Sequence, residues 1–167
     1  PRHFVLYVGD VNWNKNIPGL LQAFNMARKS IADLKLVLVG KQFLNYELVE
    51  TRDINELIHK LDVESEVVRL GFVKDEELAV IYSLASVYVQ PSFAEGFGFP
   101  ILEAMACGCP VVASNVSSLK EIAGPSRLVD PTKSEDISRG ILEVLKKSAS
   151  QREKLIEEGR KWLERFS

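Results

Sequence analysis

The sequence predicts a doubly wound α/β domain, a mainly parallel six-stranded sheet with helices on both faces. Three observations point there. Short apolar runs alternate with helix-length amphipathic stretches along the whole chain. The runs are apolar at consecutive positions rather than at every second one, which suits parallel strands covered on both sides. The 167 residues, 46% of them hydrophobic, also suffice for one core. Surface scaling gives a folded area of about 8,300 Å², with roughly 70% of the unfolded surface buried.

The elements follow in order. Phe4 to Gly9 is the first strand, a nearly continuous apolar run closed by glycine. A helix is predicted over Ile17 to Ile31, with Leu20, Leu21, Phe24 and Ala27 on its apolar face. Pro18 falls in its first turn, where a missing N–H is harmless, and Asn16 is placed to cap it. Leu34 to Val39 is the second strand, and Tyr46 to Leu61 the helix after it. Val67 to Phe72 is the third strand; the helix Asp75 to Ala85 opens with acids, as the helix dipole favours. Ser86 to Val89, the helix Phe99 to Cys107, and Pro110 to Ala113 come next. A weak sixth strand, Arg127 to Val129, precedes helices over Glu135 to Lys147 and Gln151 to Phe166. No repeat, low-complexity tract or linker interrupts the series, so residues 1–167 read as a single domain, Rossmann-like in the broad sense.

Composition removes several functions. Lys and Arg number 21 against 23 Asp and Glu, a net charge of −2. That balance argues against a nucleic-acid partner, whose backbone demands a basic surface. No apolar run approaches the roughly 18 residues of a membrane span. The chain opens on Pro1-Arg2 rather than Met, directly before a strand-like run, and reads as part of a longer protein. Cys107 and Cys109 lie in an apolar stretch, and His3 and His59 are the only histidines. The cysteines therefore read as small buried hydrophobes in a reducing compartment, not as zinc ligands.

Ligands of such sheets bind at the carboxyl ends of the strands. The first loop, Gly9-Asp10-Val11-Asn12-Trp13-Asn14-Lys15-Asn16, has neither a Gly-x-Gly-x-x-Gly nor a P-loop pattern. It offers one lysine, Lys15, in reach of an anion at that face, and Trp13, read as packing. The fourth loop carries more: Glu95-Gly96-Phe97-Gly98-Phe99-Pro100, then Glu103. The glycines allow close backbone approach, and the N–H groups where the next helix begins favour an anion. Glu95 and Glu103 are eight positions apart. They would lie about 80° apart on one helix; with Glu95 in the loop they address different parts of an elongated ligand. Carboxylates beside a phosphate select hydroxyls as partners. Taken singly, each also has an ordinary reading: Glu103 as a dipole partner in the first turn, Glu95 as a loop salt bridge.

The run Glu95 to Ser114 closely resembles the Glu-x7-Glu signature of family 4 retaining glycosyltransferases. The likeness extends through Tyr7-Val8-Gly9 with Lys15-Asn16, Leu38-Val39-Gly40, Val68 to Val73, Glu77 to Tyr82, Ala85 to Ser92, Leu119 to Ile122 and Leu128 to Pro131. It implies the C-terminal half of a GT-B fold, two Rossmann-like domains facing across a cleft. This half would bind a nucleoside diphosphate sugar. Glu103 would hold the ribose hydroxyls and Glu95 the donor sugar. Backbone around Gly96, Phe97 and Gly98 would meet sugar and pyrophosphate. Val73 would meet the base, Gly9 would close the first strand at the site, and Lys15 would neutralise the leaving diphosphate. The resemblance implies no cofactor and no metal. It implies a cytoplasmic hexosyltransferase of polysaccharide synthesis, such as a mannosyltransferase, with an N-terminal acceptor domain as partner. Any peripheral membrane contact would run through that missing half, and this half alone would not transfer sugar. Trp162 to Ser167 resembles the stretch just before the family's closing helix. In one respect the chain departs from the family: where many members carry an arginine beside the lysine, it has Asp10 and Asn14. The other domain, Arg69 and Lys74 are the candidates to supply the missing charge. A non-catalytic nucleotide-sugar-binding module and a GT-B-like sugar-nucleotide epimerase are the alternatives; the epimerase would not be expected to carry this Glu-x7-Glu run.

Overall fold

The computed structural model describes residues 3–116 and 118–167. Six strands form one sheet: β1 His3–Val8, β2 Leu34–Val39, β3 Val67–Leu70, β4 Val87–Gln90, β5 Val111–Ser114 and β6 Arg127–Val129. Their order is β3-β2-β1-β4-β5-β6, and every pairing is parallel. The sheet expected to be mainly parallel is thus wholly so among the described residues. Helices α1 Ile17–Ala27, α2 Val49–Lys60, α3 Asp75–Leu84, α4 Phe99–Ala106, α5 Leu119–Ile122, α6 Ser134–Leu145 and α7 Ala149–Leu163 complete the fold. The accessible surface is 8663 Å², close to the value scaling gives.

Alternate residues of each strand feed two apolar layers, as the pleat requires. Val5, Tyr7, Leu36, Leu38, Val87 and Val89 share one layer with Leu20, Phe24, Ile54, Ile137 and Ile141 from α1, α2 and α6. Phe4, Leu6, Val37, Val39, Tyr88 and Val111 share the other with Tyr82, Ile101, Met105, Leu119 and Ile122 from α3, α4 and α5. Because both faces are covered, the strands carry no polar alternation. This is why short, mainly apolar runs identified them.

Helix ends differ from expectation. The first helix stops at Ala27 rather than Ile31, and the chain turns through Asp33 at φ 57°. The second begins at Val49, because Lys41–Leu44 first form a 3-10 turn. The last begins two residues earlier than expected, at Ala149, on a capping box between Ser148 and Gln151. The single turn α5 is an element that periodicity could not flag.

The carboxyl ends of the central strands interlock. Gly9 N–H donates to the Val39 carbonyl at 2.9 Å, and Gly40 N–H to that of Leu70 at 3.1 Å. A Cβ on Gly40 would lie 2.2 Å from the Gly9 carbonyl oxygen, so only glycine fits this crossing.

Asn16 precedes α1, but its side chain makes no cap hydrogen bond, which corrects the capping role expected for it. Its backbone is left-handed at φ 58°. The amide turns away from the helix and donates to the Pro91 carbonyl at 2.9 Å and the Pro131 carbonyl at 2.8 Å, all within the interior. One buried side chain thus joins the loops after β1, β4 and β6. Asn16→Ala leaves two buried carbonyls unpaired and puts a Cβ-bearing residue without amide compensation in the left-handed region. It is expected to lower stability by about 2–4 kcal/mol. Urea unfolding checks this; a change below about 0.5 kcal/mol would show that water replaces the amide at no cost.

Candidate active site

Strand order reverses between β1 and β4, and that crevice is where ligands of open α/β sheets bind. The two loops that carry candidate residues emerge there side by side. They are stitched by backbone and side chain. Phe93 N–H donates to the Asn14 carbonyl at 2.8 Å, and the Asn14 amide donates to the Ala94 carbonyl at 3.2 Å. The stitching brings Lys15, in a 3-10 turn spanning Trp13–Lys15, onto Glu95. Lys15 Nζ lies 2.8 Å and 2.9 Å from the two carboxylate oxygens.

Glu95 is held from behind as well. Gln90 Nε2 donates to Oε1 at 2.6 Å and the Ser92 hydroxyl at 2.7 Å. Gln90 itself accepts from the Tyr88 phenol. Tyr88, Gln90 and Ser92 are all buried. The Ser118 hydroxyl binds the Glu95 carbonyl at 3.0 Å. The carboxylate is therefore held by three groups, Lys15, Gln90 and Ser92, and its side chain is only 10% exposed. Beyond it the chain opens out. A Cβ built on Gly96 would meet no atom within 4 Å, whereas Gly98, buried at φ 93°, turns the chain into α4 against Leu119. Among the described residues, the N–H groups of Gly96, Phe97 and Gly98 have no protein acceptor.

Glu103 sits apart from this pair, one turn into α4. It accepts a hydrogen bond from the Tyr82 phenol at 3.0 Å and lines a cleft of about 330 Å³ with Asp75, Leu78 and Cys107. Val73 comes two residues before Asp75, at the mouth of the third loop. The arrangement offers, along one edge, a cation with a carboxylate, an open run of backbone N–H groups, and a second carboxylate in its own cleft. That sequence of groups suits a ligand with hydroxyls at both ends and negative charge between them.

The sequence profile of the family described as Glycosyl transferases group 1 matches residues 1–162. The chain belongs to this family. It is 42% identical over 144 residues to an O-antigen chain mannosyltransferase B of Escherichia coli, covering 85% of this chain and 36% of that protein. Its fold superposes on a sucrose-phosphate synthase from Thermosynechococcus elongatus with a TM-score of 0.86 and 34% identity, over 98% of this chain and 41% of that one. Anabaena HepE, solved in complex with UDP and glucose, gives a TM-score of 0.87 at 22% identity, over 99% of this chain and 45% of that one, a likeness of fold. The chain thus spans about a third of the first curated relative it matches.

Set within the group 1 glycosyltransferase frame, three features add to the sequence reading of the site. Trp13, read as packing, packs at the surface: it is 76% exposed and stacks on Phe93 at 6.2 Å. Asn14, one of the two positions where many members carry an arginine, serves as the stitch between loops. The two candidate compensating cations separate: Lys74 directly precedes α3, whose first turn borders the Glu103 cleft, whereas Arg69 lies within β3 opposite Leu38. Sequence reasoning missed Gln90, Ser92 and Tyr82. Only their place three to five residues before Glu95, or one strand away from Glu103, could have marked them, and polar residues at strand ends are too common to stand out.

Three phenols sit beneath these carboxylates. Burial holds Tyr7 well above its ordinary value of 10.0, with the Glu95 and Asp10 charges adding to the effect. Burial does the same for Tyr82, reinforced by Glu103, and for Tyr88. Cys109 is pushed up to about 12 by burial. A phenol whose ionisation is harder in the folded than in the unfolded state contributes fully below pH of about 10, and that contribution is lost as pH rises beyond it. Alkaline titration is therefore expected to show Tyr7, Tyr82 and Tyr88 ionising only together with unfolding. Tyrosinate absorbance and far-UV circular dichroism followed in one sample check this. Full tyrosine ionisation with the dichroism intact would contradict it.

Proposed function

We propose that this chain is the donor-binding domain of a retaining glycosyltransferase, moving a hexose from a nucleoside diphosphate sugar to a glycan or lipid-linked acceptor. The observation that carries the reading is the Lys15–Glu95 contact at the reversal of strand order, with open backbone N–H groups between it and Glu103. Relatives named as mannosyltransferases support a mannosyl donor, and the UDP held by HepE supports a nucleoside diphosphate. The acceptor side of the cleft belongs to a second, N-terminal domain, for which the length of the relatives leaves room.

When the donor enters, the Lys15 ammonium transfers from the Glu95 carboxylate to the diphosphate. Glu95 is then free to accept hydroxyls of the sugar, and Gln90 and Ser92 keep it in place. Glu103, positioned by the Tyr82 phenol, accepts the two ribose hydroxyls. The bond from the anomeric carbon to the β-phosphate oxygen breaks, and its electron pair stays on that oxygen. The acceptor oxygen attacks the same face of the sugar, and its proton passes to the departing diphosphate. Lys15 and the α4 amino end stabilise the developing charge in place of a divalent ion, and no cofactor takes part.

Titration calorimetry with UDP, GDP and ADP tests the reading. One of the three is expected to bind selectively. Glu103→Ala and Lys15→Ala should each weaken it about tenfold or more, as lost charge-assisted hydrogen bonds would. The chain alone is expected to show no sustained sugar transfer. Absence of nucleotide binding by both this chain and the full-length protein would overturn the assignment.

A further inference from the structure

We propose that the Trp13–Phe93 stack and the cleft beside it form a subsite for a neutral hexose of an oligosaccharide, with Glu50 and Asp53 accepting its hydroxyls. The two rings lie 6.2 Å apart and 28° from parallel. Trp13 is 76% exposed and Phe93 36%. An indole left in water on a mobile loop would mean little, but this one is rigidly mounted. Its turn ends at the buried Asn16 anchor, and the backbone of Phe93 is bonded to Asn14. Rigid, exposed apolar surface of this kind marks a contact site. The free face of the indole is flat and apolar, which matches the C–H face of a pyranose ring.

The cleft has a volume of about 330 Å³, at the small end of the usual ligand range and suited to one or two sugar rings. Val11, Pro18 and Ile54 contribute its apolar wall, and Glu50 and Asp53 its rim. The two acids are three residues apart on α2 and so share a face. Among the described residues neither makes a hydrogen bond or ion pair, while the Arg52 guanidinium between them turns to the Tyr46 and Glu47 carbonyls. A rim with two unpaired carboxylates repels phosphate and accepts hydroxyls. This is what separates a saccharide from a nucleotide as the occupant, since both would stack on an indole.

Position supplies the last step. Trp13 is two residues from Lys15 in one 3-10 turn, and Phe93 is two residues from Glu95 in one loop. A sugar on the platform therefore lies beside the reacting centre. Calling it the acceptor rests on the transferase reading above; the binding itself does not.

Saturation-transfer NMR and tryptophan fluorescence on this chain, with maltotriose and mannotriose as probes, test the subsite. At least one probe is expected to bind weakly, with signal transferred to ring C–H protons. Trp13→Ala should weaken binding about fivefold or more, the worth of an aromatic stack, and Glu50→Gln with Asp53→Asn should weaken it further. Phe93→Leu serves as the second platform variant, and circular dichroism confirms that each variant is folded. Failure of both probes to bind, undiminished binding by Trp13→Ala and Phe93→Leu, or preference for glucose 6-phosphate over the neutral sugars would overturn the proposal. UDP, GDP and ADP titrated into the same samples separate the two readings. Saccharide binding without nucleotide binding, in this chain and in the full-length protein alike, sinks the transferase assignment and leaves the subsite standing. Nucleotide binding without saccharide binding does the reverse.

Discussion

A parallel sheet gathers its functional loops at one edge but gives them nothing to hold them together, because the strand hydrogen bonds end where the loops begin. In this chain the Asn16 amide supplies the missing link. It donates to carbonyls of Pro91 and Pro131 from a left-handed backbone position, so three loops share one buried group. The stitch through Asn14 extends the same link outward. Without it, Lys15 and Glu95, 80 residues apart in sequence, would have no reason to meet.

The Lys15–Glu95 pair is well suited to being exchanged. Its side chains are 19% and 10% exposed, so the attraction between them is offset by the water both have given up. The net value of such a pair is small, and a ligand that gives the ammonium a phosphate and the carboxylate a hydroxyl can replace it at little cost. The orientation of Glu95 does not depend on the lysine. Gln90, Ser92 and the buried Tyr88 phenol hold it from within the sheet. Gln90 and Ser92 do not titrate and the Tyr88 phenol is held above its ordinary value by burial, so these hydrogen bonds do not change over the physiological pH range.

Much of this was legible in the sequence, and the division follows the range of the interaction involved. Six strands were found because parallel burial writes itself as nearly consecutive apolar residues, as in Leu34 to Val39, which only Lys35 interrupts. Glu95, Glu103 and the glycines between them stood out because a loop that leads into a helix after Pro100 is a local pattern. What could not be read was decided by partners far along the chain. Asn16 looks like a cap from its neighbours and acts as a bracket because of Pro91 and Pro131. Trp13 reads as packing, and its packing partner is Phe93, 80 residues along the chain, at the surface rather than in the core. The start of α7 was misplaced for a different reason: Ser148 and Gln151 form a capping box that was present in the sequence but outweighed by the charged residues around it.

The two positions where a second cation was expected show how a loop can change what it contributes. Asn14 has a short amide that reaches the Ala94 carbonyl; an arginine there would extend past it and lose that bond, leaving the Phe93–Asn14 backbone bond and the Asn16–Pro91 bond between the loops. The chain has rigidity at that point instead of charge. Asp10 adds to the change, since its backbone carbonyl accepts from the Tyr7 phenol at 2.8 Å while its carboxylate stays exposed. On the proposed reading a diphosphate at this edge would meet one lysine, a run of open N–H groups and the α4 amino end, while Lys74 directly precedes the helix whose first turn borders the Glu103 cleft. The rigidity also has a second consequence. The same stitch that fixes Lys15 against Glu95 fixes Trp13 against Phe93, so the ion pair and the aromatic platform cannot move independently. Whatever the platform holds is positioned by the bonds that position the Lys15–Glu95 pair.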